Sequence, residues 1–212
     1  MENIRDDRKI MKKIGIFRQS LLGIAMYLPS SRLKKAIFRA LGARIGKNVY
    51  FGPGSLIVSN DFSGISIDDS VFIAPGALIN VNRLSIGSNT HLGYQCLLVG
   101  DEMEIGSGCN ISNRAFIESA YATVKIMDGV TIAASAIVSS HDGSYMHTNG
   151  SGMKKSPIVI RNNAFIGNGV IILPGIDIGE RAIVGAGSVV TKNVGKDAVV
   201  AGVPANTIVK KP

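Results

Sequence analysis

Large apolar residues recur every six positions along most of the chain, from Ile45 to Val190. They form seven groups of three, and the step inside each group is six residues. The groups are Ile45, Phe51, Ile57; Ile67, Ile73, Ile79; Ile86, Leu92, Leu98; Ile105, Ile111, Ile117; Ile126, Ile132, Val138; Ile160, Ile166, Ile172; and Ile178, Val184, Val190. A period of six fits neither the 3.6-residue period of an amphipathic helix nor a heptad. Since six is a multiple of two, each unit can be a short strand with a turn, and three units close one triangular coil.

A second column of small or β-branched residues supports the same register. It lies four positions after most of the apolar residues and comprises Val49, Ser55, Ala77, Thr90, Cys96, Cys109, Ala115, Ala136, Ala164, Ala182 and Ser188. The sequence therefore predicts an all-β fold, a single-stranded parallel β-helix of about seven triangular coils with an N-terminal helical segment. At the usual strand spacing of about 4.8 Å, seven coils give a prism roughly 34 Å tall.

The irregular steps all fall at one corner of the predicted coil. From one group to the next the steps are 10, 7, 7, 9 and 22 residues, followed by a plain six. The largest insertion, residues 139–159, is polar and rich in Gly and Ser, which indicates a loop that protrudes from the prism.

Composition excludes several classes of protein. The chain is 46% hydrophobic but only 6% aromatic, and it contains 25 Gly and no Trp, so disorder is not expected. Its two cysteines form no C-x-x-C pair, which excludes a disulfide framework and a zinc ribbon and fits a reducing compartment. Cys96 and Cys109 occupy the small inward column, so both are predicted to be core residues.

The net charge of +8 belongs entirely to residues 1–44, and the remainder is neutral. A nucleic-acid-binding prism is therefore not expected. Within this segment Ser30 and Ser31 offer helix caps, and Leu33, Ile37 and Leu41 form an apolar stripe. Two compatible hypotheses follow: the helices cap the open end of the solenoid, or their basic surface contacts anionic lipid. The apolar stretch 14–28 is too short to span a bilayer and lacks a cleavage site, so we expect a cytoplasmic location, with peripheral attachment to the membrane left open.

Several strings resemble the hexapeptide-repeat acyltransferases. They are Ile105-Gly106, Ile166-Gly167-Asn168, Ile178-Gly179-Glu180, Val184-Gly185-Ala186-Gly187-Ser188-Val189-Val190-Thr191-Lys192 and Ala201-Gly202-Val203-Pro204-Ala205. The nearest branch contains galactoside, maltose and polysaccharide O-acetyltransferases, and the resemblance covers about residues 45–209. It implies a left-handed β-helix, a homotrimer and acetyl-CoA as co-substrate. The expected organisation is a helical cap at 1–44, the β-helix at 45–195 with the loop 139–159, and a tail at 196–212.

The chain contains three histidines, and His141 is the candidate general base for acyl transfer to a sugar hydroxyl. It opens the long insertion three residues after the apolar position Val138, and this matches the family's catalytic histidine. His147 could shape the acceptor pocket, and His91 is expected at the surface or a subunit interface. No Ser or Cys nucleophile is indicated, so direct transfer in a ternary complex is the simplest mechanism. The resemblance implies that the amide of Asn168 stabilises the oxyanion.

The resemblance also implies the coenzyme A contacts. The matching positions are Phe165, Gly167, Asn168, Ala186, Gly187, Thr191 and Lys192. Phe165 departs from the family, which often has Trp there, and Asn206 stands where an Arg often meets a phosphate. On the acceptor side we expect Asn113, Arg114 and Glu118. Asp142 adjoins His141 but should point elsewhere in an extended backbone, so a carbonyl or another carboxylate is left to orient the imidazole.

Three alternatives stay open. The γ-class carbonic anhydrases share the fold and bind zinc with three histidines across subunits. Here two of the three histidines lie in one insertion, and the GAGSVVTK string favours acyltransferases, so no metal is expected. The acceptor could instead be a nucleotide-linked amino sugar or a xenobiotic, acetylated on nitrogen. A third alternative is a catalytically silent scaffold that only assembles with partners.

Overall fold

The computed structural model describes residues 15–144 and 152–210. Two helices precede the strands: α1 spans Ile16–Tyr27 and α2 spans Ser31–Ala40. Pro29 separates them, and the hydroxyl of Ser30 accepts a hydrogen bond from the Leu33 amide to cap α2. Across the described residues, neither helix is long and apolar enough to cross a membrane.

Short strands joined by tight turns, most of them paired in parallel, run through the remaining described residues, with a 3₁₀ turn at Phe62–Gly64. The strands are β1 (Arg44–Ile45), β2 (Tyr50–Phe51), β3 (Leu56–Val58), β4 (Ile65–Ile67), β5 (Phe72–Ile73), β6 (Leu78–Ile86), β7 (His91–Leu92), β8 (Leu97–Ile105), β9 (Asn110–Ile111), β10 (Phe116–Ser119), β11 (Val124–Ile126), β12 (Thr131–Ile132), β13 (Ile137–Ser139), β14 (His141–Asp142), β15 (Lys154–Lys155), β16 (Ile158–Ile160), β17 (Phe165–Ile166), β18 (Ile171–Ile172), β19 (Asp177–Ile178), β20 (Ile183–Val184), β21 (Val189–Val190), β22 (Ala198–Ala201) and β23 (Asn206–Lys210).

These strands build a triangular prism with three faces. The first face stacks β1, β4, the ends of β6 and β8, β11, β16 and β19. The second face stacks β2, β5, β7, β9, β12, β17, β20 and β22. The third face stacks β3, the beginnings of β6 and β8, β10, β13, β18 and β21. The edge between the third and first faces carries residues 139–144 and 152–157 and is called the loop edge. The edge between the second and third faces carries residues 112–115, 133–136, 167–170 and 185–188 and is called the turn edge.

The hexapeptide register predicts the core correctly. All 21 repeating apolar positions are buried, and so is every member of the second column that the sequence pattern identified. The prediction of about seven coils in a parallel β-helix is confirmed. A partial further coil follows, because Val194 bridges to Ile178 and β22 stacks on β20. The solenoid thus continues into residues that the sequence pattern assigned to a tail, and β23 folds back antiparallel on β22.

The helices cover the open end of the first coil. In the second coil the carbonyls of Ile67 and Ala77 accept hydrogen bonds from amides of the coil before it. The matching carbonyls of the first coil, those of Ile45 and Ser55, have no preceding coil. Side chains of α2 replace it: Arg39 Nε donates to Ile45 O at 3.1 Å, and the Lys34 ammonium donates to Ser55 O at 2.7 Å.

This demand for donors changes which side of α2 is buried. Lys34 is fully buried, and its Nζ also donates to Gly52 O at 2.9 Å. Ile37 and Leu41 pack against the core as the apolar stripe predicts, but Leu33 is 54% exposed. The predicted burial of Leu33 is therefore wrong. The carbonyls of the first coil need a cationic donor, and Lys34 is buried in place of Leu33.

Candidate active site

The base of the long insertion is held by the prism. His141 and Asp142 form β14, which pairs antiparallel with Lys155 and Lys154 of β15. The Ser156 amide also donates to Ser140 O at 3.1 Å. The insertion therefore leaves the loop edge as a two-stranded ribbon, and its first strand carries the predicted base.

Glu118 orients the imidazole of His141. The Nδ1 atom of His141 lies 2.6 Å from Oε2 of Glu118, whose side chain is only 5% exposed while that of His141 is 31% exposed. An ionised carboxylate only accepts hydrogen bonds, so Nδ1 carries the proton and Nε2 is left as a proton acceptor.

Other donors hold the Glu118 carboxylate in place. The Ser139 hydroxyl lies 3.1 Å from Oε2, and the amide and hydroxyl of Ser140 lie 3.2 Å and 3.3 Å from it. The Ala120 amide donates to Oε1. Sequence reasoning grouped Glu118 with the acceptor-binding residues, but the structure buries it beneath His141, where it has no surface to offer a substrate.

Asp142 turns away from the imidazole, as its place in an extended strand predicts. Its Oδ1 accepts the Ser144 amide at 2.8 Å. Hydrogen bonds from Ser144, together with the nearby Lys154 cation, lower the pKa of Asp142.

Tyr121 and Lys155 lie beside His141 and were not predicted from the sequence. The Tyr121 ring lies 4.7 Å from the imidazole, centroid to centroid, and the Lys155 Nζ lies 5.0 Å from the centroid of the Tyr121 ring. Tyr121 sits in the nine-residue step between coils, which marked an insertion but gave no direction for its side chains.

The remaining predicted residues divide between the two edges of the third face. Asn113, Arg114, Gly167, Asn168, Ala186 and Gly187 lie on the turn edge, whereas Thr191 and Lys192 follow β21 on the loop edge with Glu118 and His141. Phe165 points outward from the second face and is 44% exposed. His147 lies outside the described residues.

Asparagine side chains and close backbone contacts organise the turn edge. Asn113 Oδ1 accepts the Tyr94 amide at 2.9 Å, and Asn168 Oδ1 accepts the Ala134 amide at 3.0 Å. A Cβ at Gly167 would lie 2.6 Å from the Ala186 nitrogen, so only glycine fits there. Gly187, with φ +68°, has open space where a Cβ would be, and its amide donates to Asn168 O at 2.8 Å.

A single chain keeps His141 and Asn168 apart. Asn168 stacks on Ala134 in the turn edge, and the strand β13 leads from there to Ser140 beside His141. The two residues therefore lie at opposite edges of the third face.

The third face presents an apolar stripe between these edges. One outward residue from each full coil contributes, and adjacent members pair in register: Leu56, Leu78, Leu97, Phe116, Ile137, Ile171 and Val189. By contrast, the first face carries ion pairs such as Lys125–Glu104 at 2.6 Å and Arg161–Asp177 at 2.7 Å. A continuous apolar stripe on a prism is typical of a protein interface.

The positions of the histidines test the alternative of a zinc site like that of the γ-class carbonic anhydrases. His91 lies on the second face, where its ring stacks on Phe72 at 4.8 Å, centroid to centroid, and burial lowers its pKa. Within residues 15–144 and 152–210, no group of three or more His, Cys, Asp or Glu side chains is placed to hold a metal ion.

Residues 157–192 match the family model described as bacterial transferase hexapeptide, six repeats. This match confirms the resemblance to the hexapeptide-repeat transferases that the sequence strings indicated. The triangular solenoid is the left-handed β-helix of the acetyltransferases.

The chain is also similar to individual curated proteins and to a solved structure. The chain is 37% identical over 129 residues to galactoside O-acetyltransferase of Escherichia coli K12, covering 58% of this chain and 55% of that protein. It is 28% identical over 136 residues to γ carbonic anhydrase 2 of Arabidopsis thaliana mitochondria, covering 60% and 42% respectively. The chain thus spans about half the length of the curated relatives it matches. Among solved structures, AntD, an N-acyltransferase from Bacillus cereus in complex with dTDP and 3-hydroxybutyryl-CoA, superposes with a TM-score of 0.59 at 22% identity, covering 88% of this chain and 90% of that one.

Proposed function

We propose that this protein is an acetyl-CoA-dependent O-acetyltransferase that acetylates a sugar hydroxyl. The observation that carries the proposal is the Glu118–His141 pair at the base of the long loop, in which the carboxylate takes Nδ1 and leaves Nε2 without a hydrogen bond from the described residues. The likeness to galactoside O-acetyltransferase supports the reaction, and the coenzyme A thioester in the AntD complex supports the donor class.

His141 acts as the general base in the proposed reaction. Its Nε2 takes the proton of the sugar hydroxyl while the hydroxyl oxygen attacks the thioester carbonyl. The backbone amide of Asn168 donates to the oxyanion that develops on that carbonyl. His141 then returns the proton to the departing thiolate, so the acetyl ester and the free thiol leave a neutral imidazole.

No side chain of the described residues suits a covalent route through sulfur. Cys96 and Cys109 are buried in the solenoid core. Burial raises the pKa of Cys96 to about 12 and also raises that of Cys109. Since the thiolate is the nucleophilic form, both are inert at neutral pH, which favours direct transfer.

The proposed active site forms between two copies of the chain. His141 and Asn168 lie on opposite edges of the third face, so one copy supplies the base and its neighbour the oxyanion amide. The apolar stripe on that face supports a closed three-fold assembly, because burying it between copies removes it from water.

The coenzyme would lie along the last coils between copies. Gly187 has open space where a Cβ would be, so the turn-edge backbone there is accessible to a long thin ligand, and Gly167 and Ala186 would contact the same ligand. Phe165 and Thr191 would flank it. Lys192 is exposed and forms no ion pair among the described residues, which suits a phosphate contact. Asn113, Arg114 and His147 stay proposed acceptor contacts.

We place the reaction in the assembly of surface polysaccharide at the inner face of a bacterial membrane. The excess cations of residues 1–44 would bind anionic lipid, and Ile24, Tyr27 and Leu33 are more than half exposed on the helices. The full chain should sediment with anionic but not neutral vesicles, and high salt should abolish this. If it ignores anionic vesicles at low salt, the helices serve only as a cap.

An N-acyltransferase is the second candidate, because AntD, an N-acyltransferase, shares this fold with a TM-score of 0.59. A panel of neutral, amino and nucleotide-linked sugars, read by thiol release and by mass spectrometry of the product, separates ester from amide products.

His141→Ala should lower kcat by about 10²- to 10⁴-fold, with little change in acetyl-CoA affinity. If His147→Ala is the damaging change instead, the base is misassigned. If no sugar gives thiol release while the protein also fails to bind acetyl-CoA, the silent scaffold replaces the enzyme.

A further inference from the structure

Lys155 is fixed near the catalytic imidazole by two contacts. Its backbone pairs with His141 across the ribbon, and its Nζ lies 5.0 Å from the centroid of the Tyr121 ring. That ring lies 4.7 Å from the imidazole, centroid to centroid. The sum of these two distances is an upper limit, so the Lys155 ammonium lies within about 10 Å of the imidazole centroid.

The charge of Lys155 is not matched by a carboxylate. The neighbouring Lys154 pairs with Asp142 across the ribbon, and its positive charge lowers the pKa of that carboxyl group. Glu118 is buried and committed to His141 and the adjacent donors. Over the described part of the chain no acid lies within ion-pair distance of Lys155, and residues 145–151 contain no Asp or Glu.

We propose that the acceptor carries an anionic group, a phosphate ester or a carboxylate, which binds Lys155 while the reacting hydroxyl meets His141. This inference rests on the proposed acetyl transfer and deepens it by naming the substrate class. A sugar ring with one charged substituent could reach both groups, because the ammonium and the imidazole lie at most about 10 Å apart. The cation that the ribbon holds over Tyr121 is thus a specificity residue that distinguishes charged sugars from neutral ones.

Matched acceptors test the proposal directly. The kcat/KM for acetyl transfer would be measured by thiol release with glucose, glucose 1-phosphate, glucose 6-phosphate, glucuronate and a UDP-hexose. The expected result is a higher kcat/KM for at least one anionic sugar than for glucose, and this preference should shrink as salt rises. Comparison of the phosphorylated sugars with glucuronate identifies which anionic group the protein recognises.

Variants of the ribbon assign the preference to Lys155. Lys155→Gln should lower the anionic-to-neutral ratio of kcat/KM by about 10- to 100-fold, mainly through KM. Lys155→Arg should retain the ratio because it keeps the charge. Lys154→Gln, one position away and facing Asp142, is the matched control and should leave the ratio unchanged.

Three outcomes would overturn the proposal. Equal kcat/KM for neutral and anionic sugars in the unaltered protein would do so and would leave the proposed acetyl transfer standing. An equal loss of the ratio in Lys154→Gln would show that the general charge of the ribbon, not Lys155, attracts the acceptor. Absence of thiol release with every acceptor would refute the proposed function itself, and this inference with it.

Discussion

Replacement of Glu118 by Gln tests whether a buried carboxylate makes His141 a base. Gln keeps the shape of the side chain but has one acceptor oxygen and an amide group that only donates. Besides the hydroxyls of Ser139 and Ser140, three N–H donors converge on the carboxylate: His141 Nδ1 at 2.6 Å and the amides of Ser140 and Ala120. In Glu118→Gln the amide group must face at least one of them, and the imidazole loses its charged partner.

The contacts set the size of the effect. A hydrogen bond to a charged group contributes about 1.5–3 kcal/mol, and each 1.4 kcal/mol corresponds to a factor of ten. We therefore expect kcat to fall by about 10- to 100-fold in Glu118→Gln. Glu118→Ala leaves the Ala120 amide and the buried Ser140 hydroxyl without the acceptor that the carboxylate provides, at about 1–3 kcal/mol each, so it should also lower the free energy of unfolding by roughly 2–6 kcal/mol.

The assay is steady-state thiol release with a saturating acceptor, with acetyl-CoA affinity measured separately by calorimetry. Glu102→Gln is the matched control, because Glu102 is exposed on the first face, where it pairs with Arg83 at 3.0 Å. It should leave kcat unchanged. The reasoning fails if Glu118→Gln keeps kcat within twofold of the unaltered protein. It also fails if acetyl-CoA affinity falls as much as kcat, since that would indicate collapse of the site.

Three further predictions concern assembly and stability. Ile137→Glu puts a charge in the apolar stripe, so light scattering should give a monomer mass while circular dichroism stays unchanged; an intact trimer would reject the third face as the interface. Lys34→Ala removes the ammonium that donates to the Ser55 carbonyl and to the Gly52 carbonyl and should lower the free energy of unfolding by about 2–5 kcal/mol in urea, whereas the exposed Lys47→Ala should change it by less than about 0.5 kcal/mol. Burial lowers the pKa of His91, so the unfolded chain binds its proton more readily and stability falls as pH drops below about 6.5. The loss of Tm between pH 7.5 and 5.5 should therefore be smaller in His91→Phe, and an equal loss would contradict this assignment.

Sequence periodicity predicted the solenoid because each coil repeats one local rule. A residue such as Ile111 or Ile166 faces inward wherever the chain follows the six-residue unit, and its neighbours in the stack come from the same rule. The insertions were equally readable, since a change of step shows where the prism is interrupted. The solenoid continues through Val200 into the expected tail, which the pattern missed because the step from Val190 to Val194 is four residues and breaks the period.

The candidate site was only partly predictable. His141 could be picked out from its place at the start of the insertion, but the role of Glu118 could not. The two residues are 23 positions apart and meet only because successive coils stack with insertions of different length. Tyr121 and Lys155 likewise belong to two separate insertions at the loop edge, and no spacing in the sequence relates them.

What the sequence by itself determined is therefore the local rule: inward apolar positions, the corner that accepts insertions, and a histidine at one of them. Tertiary structure decided everything that depends on contacts between coils. It paired Glu118 with His141, turned Lys34 rather than Leu33 toward the unpaired carbonyls of the first coil, and placed Asn168 a full face away from the base. The physical reason is that burial follows from periodicity within one coil, whereas hydrogen-bond partners and charge balance depend on which coils, helices and loops the completed fold brings together.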